Sequence, residues 1–460
     1  MPYILKKYYP ARNIVFFVGE GVLIFIAISS VYLLIKGPEE YLIDILLYTT
    51  RALVVTIIFQ TCLYYFDLYD LSISSNFSDT ATRIAQAFGV GCIILAIIYY
   101  IVPLIIISSE IFWIGYIAIC LSIAIWRFFY SIVLDKRLFT HPILLLGSGN
   151  IAENISHEIE SKRDSGYKIA AIVANEKPRS NRNNIPYYNK IEYLPELIKQ
   201  HEVEKIVVAL EDRRGKTPIK ELMACKLTGM PIVKGDNFYE ELTGKILVEK
   251  INPAAIIYSE GFRNSRLLTL LKRIVDLVAA SFGLIISFPC ICLCIIAIKI
   301  DSPGPVFYLQ ERVGQKGKTY KLIKFRSMTV QAEENGPVWA GKDDSRVTRV
   351  GRFIRKVRID EIPQMLNVLK GEMSFVGPRP ERPIFVTQLE KIIPYYSLRH
   401  NIKPGITGWA QICYPYGAST EDALKKLEYD LYYIKNLSLR MDLWIIFQTI
   451  KTVLFQKGAR

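Results

Sequence analysis

At 460 residues, 51% of them hydrophobic and 22% charged, with a mean hydropathy of +0.24, the chain is too long for one ordinary core and too apolar to be wholly soluble or disordered. Of its net charge of +14, most lies C-terminally, where residues 301–460 carry 26 Lys and Arg against 16 Asp and Glu; beside a membrane this indicates anionic lipid or phosphate as partners and no nucleic acid. Eight cysteines, six of them inside apolar segments, argue against a disulfide framework, and four scattered histidines argue against a zinc site of the usual spacing.

Apolar runs near 14–35, 43–66, 84–107 and 111–134 are each about long enough to cross a hydrocarbon layer of roughly 30 Å. The first is too long for a signal-peptide core and no small-residue cleavage site follows it, so it reads as a retained anchor. Lys6, Lys7 and Arg12 precede it, Glu39 and Glu40 follow it, and Asp135, Lys136 and Arg137 close the fourth run. This pattern predicts a four-helix transmembrane bundle over 1–139 with both ends in the cytoplasm.

From His141 the pattern changes to short β runs between polar helical stretches, at 143–147, 168–174, 205–210 and 230–235. That is the rhythm of βαβ units on a parallel sheet, and it predicts a Rossmann-like domain over 140–257. The first strand runs into Gly147-Ser148-Gly149-Asn150-Ile151-Ala152, a GxGxxA turn. Gly147 and Gly149 are either cofactor-binding residues at a helix N-terminus or glycines that let strand and helix pack closely. Only Glu176 stands where a ribose-binding acid is expected, and the packing reading is favoured.

The apolar block Leu267 to Ile300 carries Lys272, Arg273 and Asp276 near its start, Pro289 in its middle, and Lys299 with Asp301 at its end. As a fifth span it would export the basic C-terminal region. Proline removes a helix hydrogen bond and crowds the preceding turn, so the favoured form is a re-entrant helix, about 267–300, broken at Pro289 and returning both ends to one face.

Beyond it, Arg346, Arg349, Arg352, Arg355 and Arg358 place a cation at every third position, on adjoining parts of a helix surface. They lead into Asp360-Glu361-Ile362-Pro363. Pro363 suits the first turn of a new helix, Gln364 to Lys370, with Gly371 as its left-handed cap. At such an N-terminus both carboxylates are expected to be ionised, which suits a nucleophile and a metal ligand better than a general acid; for the pair in isolation, helix capping is the alternative. Lys324 and Arg326 in Lys324-Phe325-Arg326-Ser327-Met328, and Arg379 in the rigid turn Gly377-Pro378-Arg379-Pro380, add cations suited to phosphate. The apolar stretch 441–455 reads equally as an interfacial helix or a core helix.

Taken in order, LKRIVD, QERVG, KFRSM, RVTRVGRFIRKVRIDEIPQMLNVLKGEMSFVGPRP and KPGITGWAQ resemble the bacterial sugar transferases, monotopic polyprenyl-phosphate phosphoglycosyl transferases that start exopolysaccharide, capsule or O-antigen units. The resemblance covers about Leu268 to Arg460. The preceding bundle and GxGxxA domain look like the long form of the family, and the tail from Tyr414 looks like members associated with exosortase-type systems. This implies an α/β catalytic domain over 258–460 with the re-entrant helix and interfacial helices. In it Asp360 would attack the β-phosphate of a UDP-sugar, release UMP and hold the sugar-phosphate until undecaprenyl phosphate collects it, two easier steps in place of one.

The resemblance also implies Mg²⁺ at Glu361 and Asp360, or Glu361 as a base for the acceptor. A diphosphate facing a carboxylate needs its charge neutralised in any case. Arg355 and Arg379 match positions the family uses near the phosphates, Lys324 and Arg326 match its KFR block, and Asp430 matches an acidic position in its pattern; all five are expected to bind substrate. Lys272 and Arg273 would either meet the acceptor phosphate or anchor a helix end at the interface. The family's Ser-Pro break is here Phe288-Pro289, with Ser287 one residue earlier. A homo-oligomer in the bacterial cytoplasmic (inner) membrane, with its catalytic domain on the cytoplasmic face, completes what the resemblance implies. The rival is a membrane-anchored NAD-dependent nucleotide-sugar dehydratase or epimerase, for which Tyr320 and Lys324 have the YxxxK spacing, although the block 267–300 separates them from the glycine turn.

Overall fold

The computed structural model describes residues 3–4, 7–8, 11–69, 77–136, 138–162, 165–176, 185–210, 218–248, 265–332, 344–414, 417 and 419–454. They form two compact units, Met1–Leu242 and Thr243–Arg460. The boundary expected at 257 lies outside the described residues.

In the first unit the four apolar runs become α1 (Ala11–Ile43), α2 (Ile45–Tyr65), α3 (Phe77–Ile101) and α4 (Ser109–Asp135). Each is long and apolar enough to cross a membrane. They share one core, in which Ile24, Ile28, Phe59, Leu63, Phe88, Leu95 and Ile111 are almost fully enclosed, while Leu34, Leu46, Ile93 and Ile117 face outward. Near the end of α1, Gly37 takes φ 79 just before Pro38 and breaks the helix there. Arg127 of α4 reaches the wholly buried Glu20 of α1 with two bonds of 2.8 and 3.0 Å and also donates to the Leu68 carbonyl. Fixing α1 to α4 this way requires both charges, because either one alone would be stranded in an apolar core.

The same unit holds five parallel strands: β1 (His141–Leu146), β2 (Tyr167–Val173), β3 (Tyr187–Tyr188), β4 (Lys205–Val208) and β5 (Ile232–Lys234), in the order β3-β2-β1-β4-β5. Four of the five lie where the β runs predict. The two-residue β3 is too short to leave a pattern. Between β1 and α5 (Asn150–Ser161) stands the glycine turn, with Gly147 at φ 126 and Gly149 as the residue capping the helix. A Cβ on Gly147 would sit 2.4 Å from the Ala209 carbonyl oxygen, so this glycine is spent on the close approach of β1 to the end of β4. Glu176 is exposed just beyond β2.

Helices α6 (Leu194–Gln200), α7 (Ile219–Leu227) and α8 (Gly235–Thr243) follow in the chain, and the long helix of the second unit comes after them. α9 (Arg266–Asp301) carries Pro289 inside it. Ala280 packs with Leu322, Val368 and Met373, whereas Cys294 and Ile298 pack with Phe325 and Ile354. Between these two contacts Ile285, Ile286 and Phe288 are more than 60% exposed. There follow the antiparallel pair β6 (Phe307–Val313) and β7 (Thr319–Phe325), α10 (Arg349–Lys356), α11 (Gln364–Lys370), β8 (Ser374–Val376), α12 (Pro383–Ile392), β9 (Gly405–Thr407), α13 (Trp409–Cys413), α14 (Thr420–Lys435) and α15 (Leu439–Leu454). Strands β8 and β9 run parallel, and their backbones come so close that a Cβ on Gly405 would lie 2.1 Å from the Gly377 nitrogen.

The second unit begins before its long helix. The indole of Trp409 donates to the Gly244 carbonyl at 2.8 Å and the Ile246 amide donates to that of Glu428. Val248 is almost fully buried.

Candidate active site

The arginine run does not form one helical face. Thr348 caps α10 by accepting a bond from the Gly351 amide, α10 ends at Lys356, and Arg358 takes φ 60, a conformation that costs a non-glycine residue about 1–2 kcal/mol. This reversal turns the chain inward. Asp360 and Glu361, in the single 3₁₀ turn Ile359–Glu361, end up 8% and 9% exposed. Pro363 and Gly371 then bracket α11 as predicted, with Gly371 left-handed at φ 86. Arg349 and Arg352 stay exposed and Arg346 is bound by Asp344, while Arg355 and Arg358 lower the Asp360 carboxyl.

Three cations converge on one oxygen, Oε1 of Glu361: Arg379 Nη2 at 2.7 Å, Lys324 Nζ at 3.1 Å and Arg358 Nη1 at 3.8 Å. Burial alone would raise this carboxyl, but Arg379, Lys324 and Arg358 together hold it well below the usual range. Asp360 accepts no hydrogen bond from a described residue. Burial first, and the Glu361 charge second, push it up to about 6 against the pull of Lys324, Arg358 and Arg355. The two carboxylates therefore titrate in opposite directions from their ordinary values. The cations are unevenly shared, and the charge of one carboxylate raises the other.

The turn that presents Arg379 is held by its backbone. Arg399 Nη2 donates to the Arg379 carbonyl at 2.9 Å and Arg312 Nη1 to that of Pro380 at 3.0 Å, while the Gly377 amide donates to Thr407. Arg399 is buried and pairs with Asp430 at 2.9 Å and with the Tyr396 hydroxyl. Burial works against the Arg399 charge, yet Tyr396 and Asp430 keep it held above its ordinary value, and burial pushes Asp430 up to about 6 despite Arg399.

The structure brings Lys324, Arg355, Arg379, Asp360 and Glu361 together and gives the other expected residues different work. Arg326 donates to the Ser302 and Pro303 carbonyls. Lys272 is bound by Asp442 at 2.7 Å, the Tyr433 hydroxyl and the Val376 carbonyl. Arg273 caps α11 through the Val368 and Leu369 carbonyls, and Asp276 accepts from Ser374 and the Phe375 amide. Asp430 meets Arg399. The rival's pair lies on β7, where four residues span about 13 Å, and the Lys324 ammonium goes to Glu361. Arg312, Arg399, Asp442 and Tyr433 were not legible as site residues; for Arg399 the one usable signal was the acidic match at Asp430.

The adjacent buried carboxylates Asp360 and Glu361 are the hard oxygen donors of this site, and among the described residues no third Asp, Glu, His or Cys is grouped with them in a metal-ligand cluster. A divalent cation, where one binds, would be held by Asp360 and the second oxygen of Glu361.

Residues 267–456 match the family described as bacterial sugar transferase, and residues 64–224 match one described as a CoA-binding domain. The chain is 42% identical over 239 residues to the UDP-N-acetylgalactosamine-undecaprenyl-phosphate N-acetylgalactosaminephosphotransferase of Aeromonas hydrophila, covering 52% of this chain and 56% of that protein. It is 34% identical over 301 residues to the UDP-glucose:undecaprenyl-phosphate glucose-1-phosphate transferase of Escherichia coli K12, covering 64% and 63%. To the protein of the same description in Klebsiella pneumoniae it is 32% identical over 368 residues, 76% of each chain. The chain thus spans 56% and 63% of the first two relatives. At the glycine turn Gly147 lies against Ala209, and one carboxylate oxygen of Glu153 in the first turn of α5 is buried.

Proposed function

The chain belongs to the bacterial sugar transferase family, and from that premise we propose that it transfers a sugar 1-phosphate from a UDP-sugar to undecaprenyl phosphate. The observation that carries the reading is the split carboxylate pair: Asp360, buried and without a hydrogen bond from any described residue, beside a Glu361 fixed by three cations. An Asp360 oxygen forms a bond to the β-phosphorus while the bond from that phosphorus to the UMP oxygen breaks, and UMP leaves with the electron pair. An oxygen of the lipid phosphate then attacks the same phosphorus, and the Asp360 carboxylate is released. With a pKa of about 6, Asp360 is mostly ionised at neutral pH and ready to attack. Glu361, held far below the usual range, is too weak a base for the acceptor and suits the ligand role. Mg²⁺ held by the pair would neutralise charge on the diphosphate. Arg379 and Lys324, already beside Glu361, orient the donor phosphates.

For topology the reading is a bundle of four crossing helices, α1 to α4, and a re-entrant α9, with catalysis on the cytoplasmic face of the inner membrane. Both ends of α9 pack on the same unit while its middle exposes large apolar side chains, an arrangement that a helix crossing to the far side would not favour. The stripe Leu443, Ile450 and Val453 exposed on α15 suits an interfacial helix, and a homo-oligomer remains the expected assembly.

The test is UMP release by purified protein in detergent with Mg²⁺, a panel of UDP-sugars, and undecaprenyl phosphate present or absent. One donor giving lipid-stimulated release, lost in Asp360→Asn, is the expected result; silence of the wild type with every donor would refute the reading.

A further inference from the structure

Asp430 lies at neither carboxylate, yet it is 2% exposed, raised by burial, and part of a buried charge chain. Its Oδ2 accepts from Arg399 Nη2 at 2.9 Å; that same nitrogen donates to the carbonyl of Arg379 at 2.9 Å, and Arg399 Nη1 reaches the Tyr396 hydroxyl. Arg379 in turn donates to Glu361 at 2.7 Å. Four links join Asp430 to the carboxylate pair: acid to guanidinium, guanidinium to backbone, backbone to its own side chain, and side chain to Glu361.

Each link has a physical reason to be rigid. A buried ion pair keeps its geometry because neither partner has water as an alternative. Arg399 is further fixed by the ring of Tyr396, 5.0 Å below its guanidinium carbon. The carbonyl it holds belongs to a turn with proline on both sides of Arg379, so φ is restricted at both neighbours.

We propose that Asp430 and Arg399 are positioning residues, which aim the Arg379 guanidinium at the donor diphosphate and Glu361 without touching substrate themselves. This rests on the transferase reading, and it replaces the sequence-based expectation that Asp430 binds substrate. Misplacing a phosphate-binding guanidinium by about 1 Å costs on the order of 100-fold in rate, whereas a direct ligand would lose its own contact whatever Arg379 does.

A double-mutant cycle in the full-length protein separates these cases. UMP release is measured for wild type, Asp430→Asn, Arg379→Lys and the double variant, with Tyr396→Phe as the milder companion that leaves the ion pair in place. Binding of the preferred UDP-sugar is measured by calorimetry in the same set carrying Asp360→Asn, so that variants too slow to assay still report. Asp430→Asn is expected to lower kcat/KM by about 10- to 100-fold in the wild-type background and by less than about 3-fold once Arg379 is Lys, with the same non-additivity in binding. Equal losses in both backgrounds would overturn the proposal, as would a loss matched by a collapse in thermal midpoint for both Asp430→Asn and Tyr396→Phe. A wild type silent with every donor would remove the transferase reading itself; an active wild type with additive losses removes only this inference.

Discussion

Asp360 and Glu361 are neighbours in sequence and meet different electrostatic fates because Arg358 reverses the chain just before them. The cations gather on one oxygen of Glu361, and Asp360 is left with burial and a negative neighbour. In the proposed reaction Asp360 must be ionised to attack, so the UMP burst without lipid should fall as pH drops through about 6. Raising Mg²⁺ should move that limb to lower pH, because a cation favours the carboxylate; a limb indifferent to magnesium would count against metal binding at the pair. The linkage to stability has the matching sign. A carboxyl raised in the fold contributes its full stability below the ordinary value of 3.8 and loses it as pH rises through about 6, so the thermal midpoint of Asp360→Asn should exceed that of wild type most at neutral pH. The acidic pair, Lys324 and Arg379 were legible in the sequence because each sits in a dense local pattern. The uneven sharing of cations was not, since it depends on which side chain reaches which oxygen. Arg399 was hidden because its partner lies 31 positions away.

Helix α9 illustrates the same contrast one level up. Its extent, Arg266–Asp301, was readable almost to the residue from hydropathy, and so was the unusual Pro289. What its first charges do was not. Lys272 and Arg273, expected at the acceptor phosphate or as interfacial anchors, instead bind Asp442 and the end of α11, and Asp276 beside them binds the start of β8. These are contacts between segments more than 90 residues apart, beyond any local pattern. Burial raises the Asp442 carboxyl even with Lys272 and Tyr433 bonded to it, so each charge depends on the other. Asp442→Ala should cost about 3–5 kcal/mol by stranding Lys272, read as a lower midpoint in denaturant unfolding in detergent. The double variant Lys272→Met with Asp442→Leu should recover much of that loss; no recovery would mean that the pair is not the source. The arginine run shows the opposite failure. Its three-residue spacing suggested one long surface, but α10 has only eight residues, and the turn that ends it is what buries the carboxylates.

For the molecule as a whole, the proposed topology places Glu39, after the first apolar stretch of α1, outside the cytoplasmic membrane, and Glu311 on β6 inside it. Both side chains are exposed. A membrane-impermeant thiol reagent should therefore label Glu39→Cys in intact cells and leave Glu311→Cys unlabelled above the background of the native cysteines until the cells are opened. Labelling of Glu311→Cys from outside would make α9 a fifth crossing. The parallel sheet and the four apolar helices were legible because both are periodic over many residues, whereas the division at Leu242 and Thr243 was not, because no break in composition marks it.

That division has a consequence for how such chains can be cut and rejoined. The match to the bacterial sugar transferase family begins at residue 267, but the fold of that unit starts at Thr243, where Gly244 gives the buried indole of Trp409 its acceptor and Ile246 is stitched to Glu428. A fragment begun at the helix would carry an orphaned donor in its interior, a defect worth about 1–3 kcal/mol. Recombination between long and short relatives is therefore expected to leave viable chimeras when the join falls ahead of Thr243, and unstable ones when it follows the edge of sequence resemblance.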